Sequence, residues 1–414
     1  MKARVKLKEY KNTSIKISGS KNSSLPIIAA SILCDETVIL HNIPNISDVF
    51  LLIEILNDIG IKTSFNNNTL IIYPSIITKK RFLNKKINKL RGSYYLIGAL
   101  IGKTKYANFS FLYPGGCKLG VRPINYHLNA FSNMGLTIKT KHNRVIIKGY
   151  KSSITHNLIY PSVGATINII LSSCKINSKT IINNASIEPE VIDVCNFLIS
   201  MGANIIINNR TITIIGNNHF HKTEYTIMED RIEAGTFLIL GAIHNGITIE
   251  NVHAKNISYL TEVLSNCGYK INIYSNKISL LPHNKGNIKP FNITLSPHPG
   301  FPTDLGPLMC VLASQINGTS YILETVFKDR FNHINELKKM NIDISLNNNL
   351  ITINGSNTVL NSIIKASDLR CAASLLLSAT MNHNYTIIED IDYLFRGYEN
   401  IKEKLNSLGI EFII

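Results

Sequence analysis

No tryptophan occurs in the 414 residues, and no apolar run reaches the roughly 18 residues that a membrane span requires. Cysteine is sparse. The seven are an odd number with no CxxC pair, which argues against a disulfide framework or a structural zinc site and makes a reducing cytoplasm the expected setting. The first residues, MKARVKLKEYKN, lack the apolar centre of a secretory signal, so none is expected. Acidic residues are few, 27 against 43 Lys and Arg, leaving a formal net charge of +16. That balance raises the question of nucleic-acid binding. Against it, the lysines are scattered, and Ile, Asn and Lys dominate everywhere, as in a compositionally biased genome. The densest group (Lys79, Lys80, Arg81, Lys85, Lys86 and Lys89) reads as a solvated face. Neither nucleic acid nor membrane is an expected partner, and nothing points to an obligatory protein partner.

What is present is a globular composition, 45% hydrophobic and 17% charged. The length exceeds what one core usually supports, so two domains are expected. One pattern recurs six times: a helix-like stretch, a Gly, then short strands. The copies are LNDIG-IKTSFNNNTLIIY, FSNMG-LTIKTKHNRVIIKG, LISMG-ANIIINNRTITIIG, LSNCG-YKINIYSNKISLL, LKKMN-IDISLNNNLITING and LNSLG-IEFII. Their hinges are Gly60, Gly135, Gly202, Gly268, Asn341 and Gly409, spaced 66 to 75 residues apart. Gly, or Asn at little cost, suits a left-handed helix C-cap. The pairs Asn67-Asn68, Asn208-Asn209 and Asn348-Asn349 are hairpin-turn chemistry. A long fixed period means repeated supersecondary units, and six divide naturally into three plus three.

Each unit carries a second helix, apolar nearly all round: NSSLPIIAASILC, GSYYLIGALIG, SVGATINIILSSC, IEAGTFLILGAIH, LGPLMCVLASQ and LRCAASLLLSAT. Such helices are buried on every side, which predicts helices inside and sheets outside. At or beside their starts stand Lys21, Arg91, Ser162, Arg231, Asp304 and Arg370, at repeat-equivalent steps of 66 to 73 residues. A cation there opposes the helix dipole by ~0.3–1 kcal/mol. Asp230 and Asp368 could absorb the charge of Arg231 and Arg370, but Lys21 and Arg91 have no acid next to them. The alternative is that cations and helix starts together hold a multiply charged, phosphate-bearing molecule.

The second unit departs from the repeat with LYPGGCKLGVRPINYH. Cys34, Cys174, Cys195, Cys267, Cys310 and Cys371 lie in apolar helical stretches, whereas Cys117 sits in a Pro/Gly loop beside Lys118 and near Arg122. Cations stabilise thiolate and a glycine loop gives access, the conditions for a reactive cysteine. A second irregular segment, SPHPGFPTDLGP, delivers Asp304. A carboxylate facing arginines stays ionised and could accept a proton.

These segments resemble those of the enolpyruvyl transferases, in the branch whose members act on UDP-N-acetylglucosamine. The resemblance covers essentially the whole chain: GSKNSSLP, LRGS, PGGCKLGVRPINYH, PSVGAT, EPEV, DRIEAGTF, HPGFPTD, ETVFKDRF, SDLR and FRGYE stand in family order. The sister branch acting on shikimate 3-phosphate lacks the cysteine loop. The resemblance implies an α/β fold of two inside-out α/β barrels built from six βαβαββ units, three per domain. One domain would comprise 1–20 plus 230–414 and the other 21–229, with the active site in the cleft between them. It implies transfer of the enolpyruvyl group of phosphoenolpyruvate to the 3-hydroxyl of the nucleotide sugar through a tetrahedral ketal. Phosphate is released, with no metal or organic cofactor. This is the first committed step towards peptidoglycan.

Carried onto matching positions, Cys117 is the expected proton donor and Asp304 the base, with Lys21 and Arg396 also catalytic. Phosphoenolpyruvate would meet Lys21, Asn22, Arg122 and Arg396 on its phosphate side, and Arg330 and Arg370 on its carboxylate side. The nucleotide sugar would meet Arg91, Arg122, Pro123, Ile124, Asn125, Tyr126, Tyr160, Pro161, Ser162, Val163, Gly164, Asp304, Val326 and Phe327. Glu188, Glu190, Arg231 and His298 form the expected supporting shell. Three positions depart from the family: Asn125 where Asp is common, Tyr95 where some members carry Trp, and Tyr160 where some carry Lys.

Overall fold

The computed structural model describes residues 1–414 apart from 75, 76, 78, 114, 116–123, 218 and 357. The described residues divide into two compact units. One runs from Gly19 to Met228; the other takes Met1–Ser18 and Glu229–Ile414. Each unit has its own apolar core, the first around Phe111, Phe131 and Phe197, the second around Phe237, Leu308 and Phe412.

Six four-stranded sheets, three to a unit, follow one plan. In the first, Thr223–Thr226 runs parallel to Val38–His41, which is antiparallel to Thr69–Ile72, itself in a hairpin with Thr63–Asn66. A parallel pair needs a long crossover, and in four of the six repeats the apolar helix supplies it. The second, amphipathic helix then leads through the left-handed hinge into the hairpin. All six hinge residues have positive φ, from 65° at Asn341 to 109° at Gly268, as their residue types predict. The hairpin turns are nearly as expected. Asn67 and Asn68 are both left-handed, but Asn208 ends its strand and the turn is Asn209-Arg210, one residue later.

Two features of connectivity were not legible in the repeat. The sixth copy shows one strand after its hinge, Ile410–Ile413, and its hairpin partner is the N-terminal strand Lys2–Leu7. That strand also pairs with Thr386–Glu389 and closes the sixth sheet. The first strands are also exchanged. Ser14–Lys16 pairs with Ile247–Glu250, and Thr223–Thr226 with Val38–His41, because the chain passes between units just after each of these first strands.

The apolar helices are buried as predicted. In Arg231–His244 every residue but the last is buried, and in Gly306–Ala313 all are. Within the first unit Tyr95–Lys103 packs against both Lys21–Ala30 and Val163–Ser173. Within the second, Gly306–Ala313 packs against both Arg231–His244 and Leu369–Ala379. The crossing of Tyr95–Lys103 with Val163–Ser173 is tight. A Cβ on Gly98 would lie 2.3 Å from Asn168 Oδ1, and one on Gly102 would lie 2.2 Å from the Leu171 carbonyl. Among the described residues no ladder joins one sheet to the next. Each inside-out layer is therefore held by side-chain packing on the central helices, and no barrel is closed by hydrogen bonds.

Candidate active site

Four of the six apolar helices carry a side-chain cap at their start. Ser20 Oγ accepts from Ser23 N–H, Ser162 Oγ from Ala165 N–H, Asp230 from Ile232 and Glu233, and Asp368 from Arg370 and Cys371. These caps take up donors that a bare helix start offers an anion. The cations beside them are therefore the stronger anion-binding groups.

In the unit between Gly19 and Met228, Lys21 opens its helix and Asn22 follows it. The sequence shows no acid beside Lys21, yet Asp48 Oδ2 lies 2.7 Å from its ammonium. Asp48 comes from the first turn of Ser47–Asp58 and its side chain is 5% exposed. Lys21 has no acid adjacent in sequence, and its counterion comes from the following helix of the repeat. Arg91 starts the short turn Arg91–Tyr94 and lies 5.6 Å from the Tyr94 ring centre. Tyr94 packs at a tilt against Tyr95 and meets His127 edge-on. Both Tyr94 and His127 press on Gly164, where a Cβ would fall 2.7 Å from the Tyr94 hydroxyl oxygen and 2.9 Å from His127 Cε1. Ile124, Asn125 and Tyr126 begin the helix that carries His127, while Tyr160, Pro161, Ser162 and Val163 lie half-buried at the start of Val163–Ser173. Arg91, Gly164 and the 124–127 segment are thereby brought together. Glu188 accepts from Ser186 Oγ and precedes Pro189–Ser200, whose first turn holds buried Glu190. Cys117, Arg122 and Pro123 lie outside the described residues. The lysine-rich segment behaves as a solvated face: Lys79, Lys80, Arg81, Lys85 and Lys89 are exposed, and Lys86 pairs with Glu54 and Asp58.

In the other unit, Asp304 lies two residues ahead of Gly306–Ala313 and is held from both sides. Arg330 Nη1 donates to Oδ1 at 2.7 Å, and Arg370 Nη2 to Oδ2 at 2.6 Å. Burial alone would raise this carboxyl's pKa, but the two guanidiniums override it and hold the group far below the usual carboxylate range. Both arginine side chains are nearly buried, at 6% and 8% exposure. Arg330 also donates to Thr303 Oγ1 at 3.1 Å and lies over the Phe327 ring at 4.5 Å. Glu324 organises the adjoining loop. It accepts from Val326 N–H at 2.7 Å, Phe327 N–H at 3.1 Å and the Thr303 hydroxyl. Arg231 is turned to Tyr259, whose hydroxyl is 3.3 Å away. Arg370 reaches Tyr398, which bonds Thr236 at 2.8 Å. Arg396 ends the turn Ile391–Arg396 and is half-buried. His298 lies in the loop before Asp304, ahead of a cis Pro299.

Sequence reasoning missed Asp48, Glu324, Tyr94 and the contact between His127 and Asn168. The signal for Glu324 was present in ETVF and that for His127 in PINYH, but Asp48 had no local mark. Among the described residues no group of three His, Cys, Asp or Glu could hold a metal, and no helix is long and apolar enough to cross a membrane.

Residues 6–405 match the sequence profile of EPSP synthase (3-phosphoshikimate 1-carboxyvinyltransferase). Among solved structures, the enolpyruvyl transferase NikO from Streptomyces tendae has a TM-score of 0.89 at 21% identity, covering 99% of this chain and 98% of that one. An EPSP synthase from Acinetobacter baumannii gives 0.76 at 16% identity, covering 100% of each. Fold and profile define the class, an enolpyruvyl transferase. Curated relatives are closer in sequence. The UDP-N-acetylglucosamine 1-carboxyvinyltransferase of Halothermothrix orenii is 38% identical over 400 residues, 96% of this chain and 95% of that protein. Its namesake from Buchnera aphidicola subsp. Baizongia pistaciae is 39% identical over 400 residues, 95% of each. The chain belongs to the UDP-N-acetylglucosamine 1-carboxyvinyltransferase family.

Proposed function

We propose that the chain transfers the enolpyruvyl group of phosphoenolpyruvate to the 3-hydroxyl of UDP-N-acetylglucosamine, releasing phosphate, as the first committed step towards peptidoglycan. The observation that carries the chemistry is Asp304 held between Arg330 and Arg370. Two nearly buried guanidiniums already grip one carboxylate, so the pair is built to grip another. In this state Asp304 is ionised but a weak base, since its lone pairs are engaged. Arrival of the carboxylate of phosphoenolpyruvate draws the guanidiniums away, and the freed Asp304 gains basicity as its countercharge is shared. Base strength then appears only when the second substrate is in place.

Asp304 takes the proton of the sugar 3-hydroxyl as its oxygen bonds to C2 of phosphoenolpyruvate, and Cys117 gives a proton to C3. The double bond is consumed and a tetrahedral ketal forms. The Cys117 thiolate then takes a proton back from the new methyl group, protonated Asp304 returns its proton to the departing phosphate, and the double bond is restored. Lys21, Arg122 and Arg396 neutralise the leaving phosphate, and Arg91 with residues 124–126 and 160–164 holds the nucleotide sugar. Oriented cations lower the barrier most where water is excluded. The test is product analysis. Incubation with both substrates is expected to yield an enolpyruvyl ether of the nucleotide sugar, seen as new vinyl protons by NMR and equimolar with phosphate. Phosphate without the ether would mean simple hydrolysis and would refute the assignment.

A further inference from the structure

A buried polar relay lies one turn inside the nucleotide-sugar side of the site. Asn168 is fully buried on Val163–Ser173, and its Oδ1 accepts from Gly98 N–H at 2.9 Å. A backbone N–H can only donate, so this bond fixes which way the amide faces. Nδ2 of Asn168 is then the group that meets His127 Nδ1, at 2.8 Å. An amide NH2 can only donate, so Nδ1 is the acceptor and the ring's proton sits on Nε2. The imidazolium, with N–H on both nitrogens, is incompatible with this partner. The ring edge runs from Nδ1 at Asn168 to Cε1 at Gly164, one turn nearer the helix start. Nε2 follows Cε1 around the ring.

We propose that Asn168 is a positioning residue that locks His127 as a neutral Nε2–H donor to an acceptor oxygen of the nucleotide sugar, beside Arg91 and the start of Val163–Ser173. The inference rests on the reading of this site as the nucleotide-sugar site. The surroundings agree. Burial first, and the charge of Arg91 second, push the His127 pKa down to about 3. The groups facing the ring are Arg91, Tyr94 and Asn168, with Tyr95 behind Tyr94. Val163–Ser173 brings no titratable side chain, Lys139 and Lys141 on the strand packed against the His127 helix are exposed, and His156 bonds Asn133 at that helix's far end. A neutral donor binds equally well across physiological pH, which an ordinary histidine does not.

Asn168→Asp is the discriminating variant. One carboxylate oxygen keeps the Gly98 bond, and the other accepts from His127 Nδ1. At pH 8 the ring then carries its proton on Nδ1 and presents a lone pair from Nε2. At pH 5.5 protonation restores the Nε2 donor. For the wild type, affinity for UDP-N-acetylglucosamine measured by calorimetry without phosphoenolpyruvate is expected to change less than about twofold between pH 5.5 and 8. For the variant it should be about tenfold weaker at pH 8 than at pH 5.5, as for one buried acceptor left without its donor. A purely structural role would weaken binding equally at both pH values, and that result overturns the proposal. The tautomer is read independently on the ligand-free wild type by 15N NMR. Nδ1 should be unprotonated from pH 8 down to 5.5, and a protonated Nδ1 refutes the relay even if the variant fails to fold. Correct tautomer with no nucleotide-sugar binding by the wild type would instead sink the reading of the site, and the donor role with it.

Discussion

Asp304→Asn removes the negative charge from between two guanidiniums and alters little else in volume. In the free protein, Arg330 and Arg370 then face one another nearly buried and without their carboxylate. Breaking a buried pair in this way typically destabilises by about 3–5 kcal/mol, so the urea midpoint should fall. The opposite sign is expected for ligand binding. In the wild type, the carboxylate of phosphoenolpyruvate must displace charge-assisted hydrogen bonds of 2.7 and 2.6 Å. Each such bond is worth about 1.5–3 kcal/mol. Asparagine keeps one acceptor oxygen and turns an NH2 towards the other guanidinium, so one of the two competing bonds is gone. Phosphoenolpyruvate alone should therefore bind the variant about ten- to a hundredfold tighter by calorimetry, while turnover is lost because no base remains. Saturating phosphoenolpyruvate should also restore much of the lost urea resistance. Equal or weaker binding by Asp304→Asn would refute the idea that Asp304 and the substrate carboxylate share the same two arginines.

Cys117→Ser is expected to abolish most turnover with an unchanged urea midpoint, because exchanging sulfur for oxygen changes the side chain's volume little; a normal rate would remove the assigned role. Asp48→Asn takes the counterion from Lys21. It should lower kcat/KM for phosphoenolpyruvate about tenfold, the scale of one charge-assisted hydrogen bond, and leave nucleotide-sugar affinity unaltered. An equal loss for both substrates would point to general disruption instead. His127, His244 and His333 are buried with pKa pushed down to about 3, 4 and 4 from 6.5, chiefly by burial. Groups whose folded pKa is depressed bind more protons when unfolded. Their stabilising contribution is full above pH 6.5 and is lost as pH falls towards 4. Unfolding free energy from urea melts should decline from pH 7 to pH 5, before most carboxylates titrate; a flat profile would contradict neutral burial of these rings.

The architecture was legible because it repeats. Hinge glycines with positive φ and wholly apolar helices are local consequences of residue type, so six copies reinforced one reading. Closure of the sixth sheet by Lys2–Leu7 was not legible, since pairing between the chain's ends leaves no mark in a short window. The same divide separates the site residues. Arg330, Arg370 and Asp304 stood in recognisable segments, and the structure joins them. Asp48 could not be paired with Lys21 from sequence, because a counterion on the next helix of the repeat looks like any first-turn acid. Asn168 was hidden for a different reason. In the apolar run SVGATINIILSS it reads as one polar residue on a buried face, and its purpose emerges only from Gly98 N–H on one side and His127 on the other.

The most direct measurement of the central claim is phosphate release by the purified chain from phosphoenolpyruvate with two alternative acceptors. Release is expected with UDP-N-acetylglucosamine and none with shikimate 3-phosphate. Turnover with shikimate 3-phosphate, and silence with the nucleotide sugar, would contradict it.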